Sequence, residues 1–106
     1  MRRAEVWWVN LPEPVGRRPV VLVSREDVHS VRTLVTVAPV TTRVRDIPTE
    51  VALGKAEGLQ RPCVVNADAL TTIPKSSLTE YAGTLSPAKV TALDEAIRFA
   101  LGLDGG

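Results

Sequence analysis

The sequence predicts a mostly β domain with a C-terminal helix, an α+β arrangement in which a small curved or barrel-like sheet carries the helix on one side. Three observations predict it. Short runs rich in β-branched residues recur through residues 4–85, separated by stretches containing Pro and Gly. The one sustained helical periodicity comes after them, at residues 86–102. The length, 106 residues, suits a single domain spanning 1–106 with a core of modest thickness.

Taken in order, Ala4–Val9 (AEVWWV) is the first strand, and its adjacent tryptophans Trp7 and Trp8 point to opposite faces, one into the core and one outward. Leu11–Gly16 is a loop by its prolines and glycine. Pro19–Ser24 is the second strand, and its unbroken apolar run predicts cover on both sides. Glu26–Val31 is polar and loop-like. Thr33–Val40 is the third strand, with Pro39 marking a bulge or an edge position. A polar segment, Thr41–Glu50, leads to a short strand at Val51–Leu53 and a turn-rich connector at Gly54–Pro62. Cys63–Asn66 and Leu70–Ile73 are strands on either side of Ala67-Asp68-Ala69, and Tyr81–Leu85 is the last. The helix has Ser86 as N-cap, Pro87 at its first position and Gly102 just past its end. Val90, Leu93, Ile97 and Leu101 form its apolar stripe, widened by Ala96 and Ala100; Asp94 and Glu95 fall outside the stripe and are expected to be solvated.

Composition narrows the function classes. With 44% hydrophobic and 24% charged residues the chain is globular rather than disordered. A net charge of +1 disfavours nonspecific duplex binding by overall charge and leaves only a local basic patch. The single cysteine, Cys63, precedes Val64 and Val65 and is expected to be a packed, reduced thiol. No Cys/His cluster suggests a metal, and neither a phosphate loop nor a dinucleotide fingerprint suggests a cofactor, so none is expected. His29, the only histidine, sits beside Asp27 and Ser30 in the polar loop, where a surface role is expected over a catalytic triad. No apolar run approaches the roughly 18 residues of a membrane span, and no signal peptide is seen, so the expected location is cytoplasmic.

What remains is a set of arginines and hydroxyls near strand ends: Arg17, Arg18, Thr41, Thr42, Arg43, Arg45 and Arg61. Guanidinium is planar, permanently charged and suited to phosphate. Arg18 precedes Pro19, which holds its backbone extended and fixes where its side chain leaves the sheet. Arg43 and Arg45 are placed to steer phosphates. Trp7 or Trp8 is a candidate base-stacking platform, core packing being the competing explanation.

The order of "VGRRPVVLVS", "VAPVTT", "IPTEV", "RPCVVNADALTTIPKSSL" and "AGTLSPAKVTALDEAIRFALGL", after Glu5-Val6-Trp7, resembles the MazF/PemK toxins of type II toxin–antitoxin systems across residues 3–103. The resemblance implies an SH3-like small barrel of the MazF/PemK/CcdB type, assembled as a homodimer. It implies metal-independent, sequence-specific endoribonuclease action on single-stranded RNA, held in check by a cognate antitoxin that presents an acidic segment. The family's arginine before proline is catalytic and maps to Arg18; its threonine partner maps to Thr41. Arg17 is at a variable position and is a candidate RNA contact, as is Thr42 beside Thr41. Asn66 and Asp68 resemble the family's N-x-D motif, which either reads a base edge or holds the turn. Two departures are visible: Ala4-Glu5 replaces the usual Gly-Asp, and the loop at 10–17 is short. CcdB-type toxins, which act on DNA gyrase by protein contact, depend on a C-terminal Trp-Gly-Ile that this chain lacks.

Overall fold

The computed structural model describes residues 1–26 and 32–103. The expected placement of His29, Asp27 and Ser30 lies outside the described residues. The strands are β1 (Glu5–Leu11), β2 (Gly16–Leu22), β3 (Leu34–Thr41), β4 (Glu50–Leu53), β5 (Cys63–Asn66), β6 (Thr71–Pro74) and β7 (Leu78–Thr84), followed by helix α1 (Pro87–Leu101). Single 3-10 turns occupy Lys55–Glu57, Ala67–Ala69 and Lys75–Ser77.

The seven strands form one curled antiparallel half-barrel in the order β4-β5-β3-β2-β1-β7, with β6 also paired to β3. The curl originates in β3, which changes neighbours along its length. Leu34–Val37 pair with β6, whereas Val40 and Thr41 pair with Val65 and Val64 of β5. Pro39 sits between these two ladders, where the missing N–H leaves no registered partner on that side unsatisfied. The proline therefore marks a change of partner within a central strand, not an edge strand.

Two apolar clusters lie on opposite faces of this sheet. Val6, Val21, Ala38, Val40 and Val65 pack with Leu85, Leu93 and Ala96 on the helix side. Val9, Val20, Leu22, Val35, Val37 and Ile73 fill the other side. Because side chains alternate along a strand, the consecutive run in β2 feeds both clusters, which accounts for its lack of polar alternation.

The β1–β2 hairpin is longer than the sequence suggests. Asn10 pairs with Arg17 and Leu11 with Gly16, so the expected loop shrinks to residues 12–15 and β2 begins before Pro19. The hairpin ladder overrides the local turn signal, and it places both arginines on a strand. The helix keeps its expected ends: the Ser86 hydroxyl accepts from Lys89 N at 3.3 Å, and Gly102 closes it at φ 68°. Two expectations are corrected. Leu101 is 56% exposed, so the apolar stripe runs off the core at its last turn. Asp94 is only partly solvated: it binds the Arg3 guanidinium at 2.8 Å, joining helix to N-terminus.

Candidate functional site

The register Trp8↔Pro19, Val9↔Arg18, Asn10↔Arg17 determines which side chains share a face. Trp8, Pro19 and Arg17 share one face; Arg18 alternates onto the other, with Val9 and Val20. A cleft of about 480 Å³ opens on the Trp8 side. Its walls are Trp8, Arg17, Pro19 and Glu80 on one side and Thr41, Thr42, Cys63 and the segment Gly58–Arg61 on the other.

Arg17 dominates the rim. Its guanidinium lies 4.3 Å from the centroid of the Trp8 ring and binds the Glu80 carboxylate at 2.7 Å. The Trp8↔Glu80 pairing of β1 with β7 puts carboxylate and indole side by side, with Arg17 spanning both. Trp7 takes the opposite face, where its indole N–H donates to Glu5 at 3.0 Å and its ring meets Tyr81 edge-on at 6.0 Å. Neither tryptophan is fully buried.

Thr41 lies where β3 ends in the cleft, and its hydroxyl accepts from Arg43 N at 3.1 Å. Arg18 is exposed, and its guanidinium has no hydrogen-bond or ion-pair partner among the described residues. It is not part of the cleft wall. The β2–β3 ladder runs Leu22↔Val37, Val21↔Ala38, Val20↔Pro39; continuing that step by two residues sets Arg18 level with Thr41.

The other expected residues divide. Arg17, Thr42 and Arg61 join Thr41 in the cleft. Arg43 and Arg45 do not; both lie exposed on the 42–48 segment. That segment is held by Glu50, whose Oε1 accepts from Arg45 N and Asp46 N at 2.9 Å each. Asn66 and Asp68 also lie outside the cleft wall. Asn66 accepts from Asp68 N at 2.8 Å, and Asp68 accepts from the Thr49 hydroxyl at 2.6 Å, so both brace the turn before β6.

Backbone packing builds the remaining wall. Gly58 at φ 84° and Gly83 face each other across the 3-10 turn and β7; a Cβ on Gly58 would meet Ala82 O at 1.9 Å, and one on Gly83 would meet Glu57 O at 2.3 Å. This close approach fixes Leu59 and Gln60 beside the cleft. Cys63 lines its floor, and burial, with the Glu57 charge adding to it, raises the thiol pKa above its ordinary value. The thiol is therefore a neutral packing group at physiological pH.

Glu80 and Gln60 are cleft residues that the sequence does not reveal. Nothing local signals either one, because both reach the cleft through long-range strand pairing and turn packing. A second hollow of about 560 Å³, near Arg3, Arg32, Thr36 and Thr72, contains none of the expected site residues. Among the described residues no group of three His, Cys, Asp or Glu side chains is placed to hold a metal ion.

The chain matches the family of PemK-like, MazF-like toxins of type II toxin–antitoxin systems over residues 2–101. It is 45% identical over 87 residues to endoribonuclease MazF3 of Mycobacterium tuberculosis, covering 82% of this chain and 84% of that protein. The fold superposes on the M. tuberculosis toxin MazF-mt6 with a TM-score of 0.87 at 40% identity, covering 94% and 98% of the two chains. A mycobacterial endoribonuclease solved with its cognate antitoxin gives a TM-score of 0.87 at 33% identity over 97% and 96%. With a matching family over nearly its whole length and the same curled sheet, this chain belongs to the MazF/PemK toxins of type II toxin–antitoxin systems.

Proposed function

We propose that the protein is an endoribonuclease toxin that cuts single-stranded RNA, with the scissile phosphate held at the strand ends where Arg18 lies level with Thr41, and Arg18 supplying the positive charge that meets it. The observation that carries this reading is the register that sets Arg18, whose guanidinium has no partner among the described residues, level with Thr41 at the end of β3, where Thr41, Thr42, Arg17 and Arg61 line an open cleft. The relatives' names as endoribonucleases support the reaction class and speak against the gyrase-directed alternative.

The chemistry follows from the residue types. The substrate's own 2′-OH attacks the adjacent phosphorus, the P–O5′ bond breaks, and the products are a 2′,3′-cyclic phosphate and a 5′-OH. The nucleophile resides in the substrate, so the protein's task is to stabilise the phosphorane-like transition state and manage two protons. A guanidinium with a pKa above about 12 is a poor base but a strong anion stabiliser and hydrogen-bond donor. Arg18 meets the developing charge, the Thr41 hydroxyl donates to a nonbridging oxygen, the 2′-OH proton passes to solvent water, and O5′ takes a proton from solvent water as the P–O5′ bond breaks. No step calls for a metal or a cofactor. The active form is a homodimer, for which exposed Phe99, Leu101 and Leu103 at the helix end offer apolar surface. A cognate antitoxin, presenting an acidic segment, covers the cleft.

The test is to incubate the purified protein with a long single-stranded RNA in excess EDTA and identify the product ends. Cyclic phosphate and 5′-OH termini at a short recurring sequence are expected. A strict requirement for a divalent metal, or 5′-phosphate ends, would contradict the mechanism.

A further inference from the structure

The indole of Trp8 packs against the helix-side core and carries the Arg17 guanidinium over its ring, in the cleft that Thr41 also lines. We propose that Trp8 is a base-stacking platform, and that Arg17, tethered to Glu80, is a displaceable cap over it. An unpaired RNA base takes the indole face, and Arg17 exchanges the Glu80 carboxylate for a backbone phosphate. This inference rests on the endoribonuclease reading and extends it to how the cleft receives its substrate.

Magnitudes favour the exchange. The side chains of Arg17 and Glu80 are 49% and 65% exposed, so the ion pair is solvated. An exposed pair of this kind holds an equilibrium by no more than about fivefold. An exposed cation over an aromatic ring adds about two- to fivefold. A base stacked on an aromatic side chain gains about 5- to 150-fold, and Arg17 recovers a charge-assisted contact when it turns to phosphate. The cap therefore keeps the apolar ring covered while the cleft is empty and yields to a nucleotide. Because the pair closes on a single ring, it admits an extended, unstacked strand and not a duplex, whose bases are already stacked.

The experiment uses the full chain with Trp7→Phe, which leaves Trp8 as its only tryptophan. Cut sites are first mapped on a long single-stranded phage RNA with the parent protein. A 2′-O-methyl oligonucleotide spanning one site, which cannot be cleaved, is then titrated while Trp8 emission is followed. A saturable change in Trp8 emission is expected. In cleavage kinetics Glu80→Gln lowers KM by up to about fivefold, as the tether is lost. Trp8→Ala raises KM about 5- to 150-fold, and Trp8→Phe, which retains a π face and tests the role should the alanine variant unfold, restores most of it. A parent protein that cuts RNA while Trp8 emission stays constant at saturating oligonucleotide overturns the cap alone; so does Glu80→Gln with an unchanged or raised KM. A parent that cuts no RNA overturns the endoribonuclease reading and the cap together.

Discussion

Thr41 is the residue on which the proposed reaction makes its sharpest demand. Thr41 ends β3 and lines the cleft, and Arg43 N already uses its hydroxyl as an acceptor, leaving its proton to donate. Thr41→Ala is expected to lower kcat about 10²–10³-fold with little change in KM, as for loss of one oxyanion donor, measured by steady-state cleavage of a fluorogenic oligonucleotide. Cys63 gives a prediction of another kind. Its folded-state pKa lies above the ordinary 9.0, so the stability it contributes is complete below that value and is lost as pH rises through the folded pKa. Thermal melts should show a decline above about pH 9 that Cys63→Ala flattens. Ala4 adopts φ 73°, a left-handed conformation that favours glycine and costs another residue about 1–2 kcal/mol. Its N–H and C=O are held by Leu22 O at 2.8 Å and Leu85 N at 3.0 Å, which keep the conformation in place. At this scale the Arg-Pro dipeptide and the Pro-Val-Thr-Thr run are legible in the sequence, because their chemistry is local. Glu80 is not, since its partner Arg17 is 63 residues away.

Among the elements, the packing of the Lys55–Glu57 turn against β7 does most to shape the cleft. Gly58→Ala combines a left-handed φ with a Cβ 1.9 Å from Ala82 O. It is expected to destabilise the fold by more than about 2 kcal/mol in urea unfolding and to weaken cleavage by displacing the Gly58–Arg61 wall. Ser86→Ala should cost about 1 kcal/mol or less, with no effect on kcat, since its capping bond is exposed and remote from the cleft. The helix is legible to its last residues because caps and stripe both announce it. The tip of the β1–β2 hairpin is not. Prolines at 12 and 14 signal a loop, but the ladder runs on to Leu11↔Gly16, and pairing of that range cannot be seen in local propensity. Pro39 misleads for a related reason, since only the sheet's change of partner explains a proline within a central strand.

Over the whole molecule, a net charge of +1 supplies no general field for a polyanion, so any attraction comes from local arginines, of which Arg17 and Arg61 line the cleft. Arg43 and Arg45 lie outside the cleft wall. Replacing both with Ala should leave kcat intact and act through KM, with the log–log salt slope of KM falling by about 0.7 for each phosphate that is no longer neutralised. Curl, clusters and cleft all derive from β3 switching partners, which carries Thr41 to the mouth of the half-barrel next to the hairpin bearing both arginines. The most direct test of the account is the cleavage rate of Arg18→Ala, checked for native secondary structure by circular dichroism, against the parent on the same single-stranded RNA. A loss of about 10³-fold with the fold unchanged is expected; a folded variant that cuts at the parent's rate would remove Arg18 from the reaction.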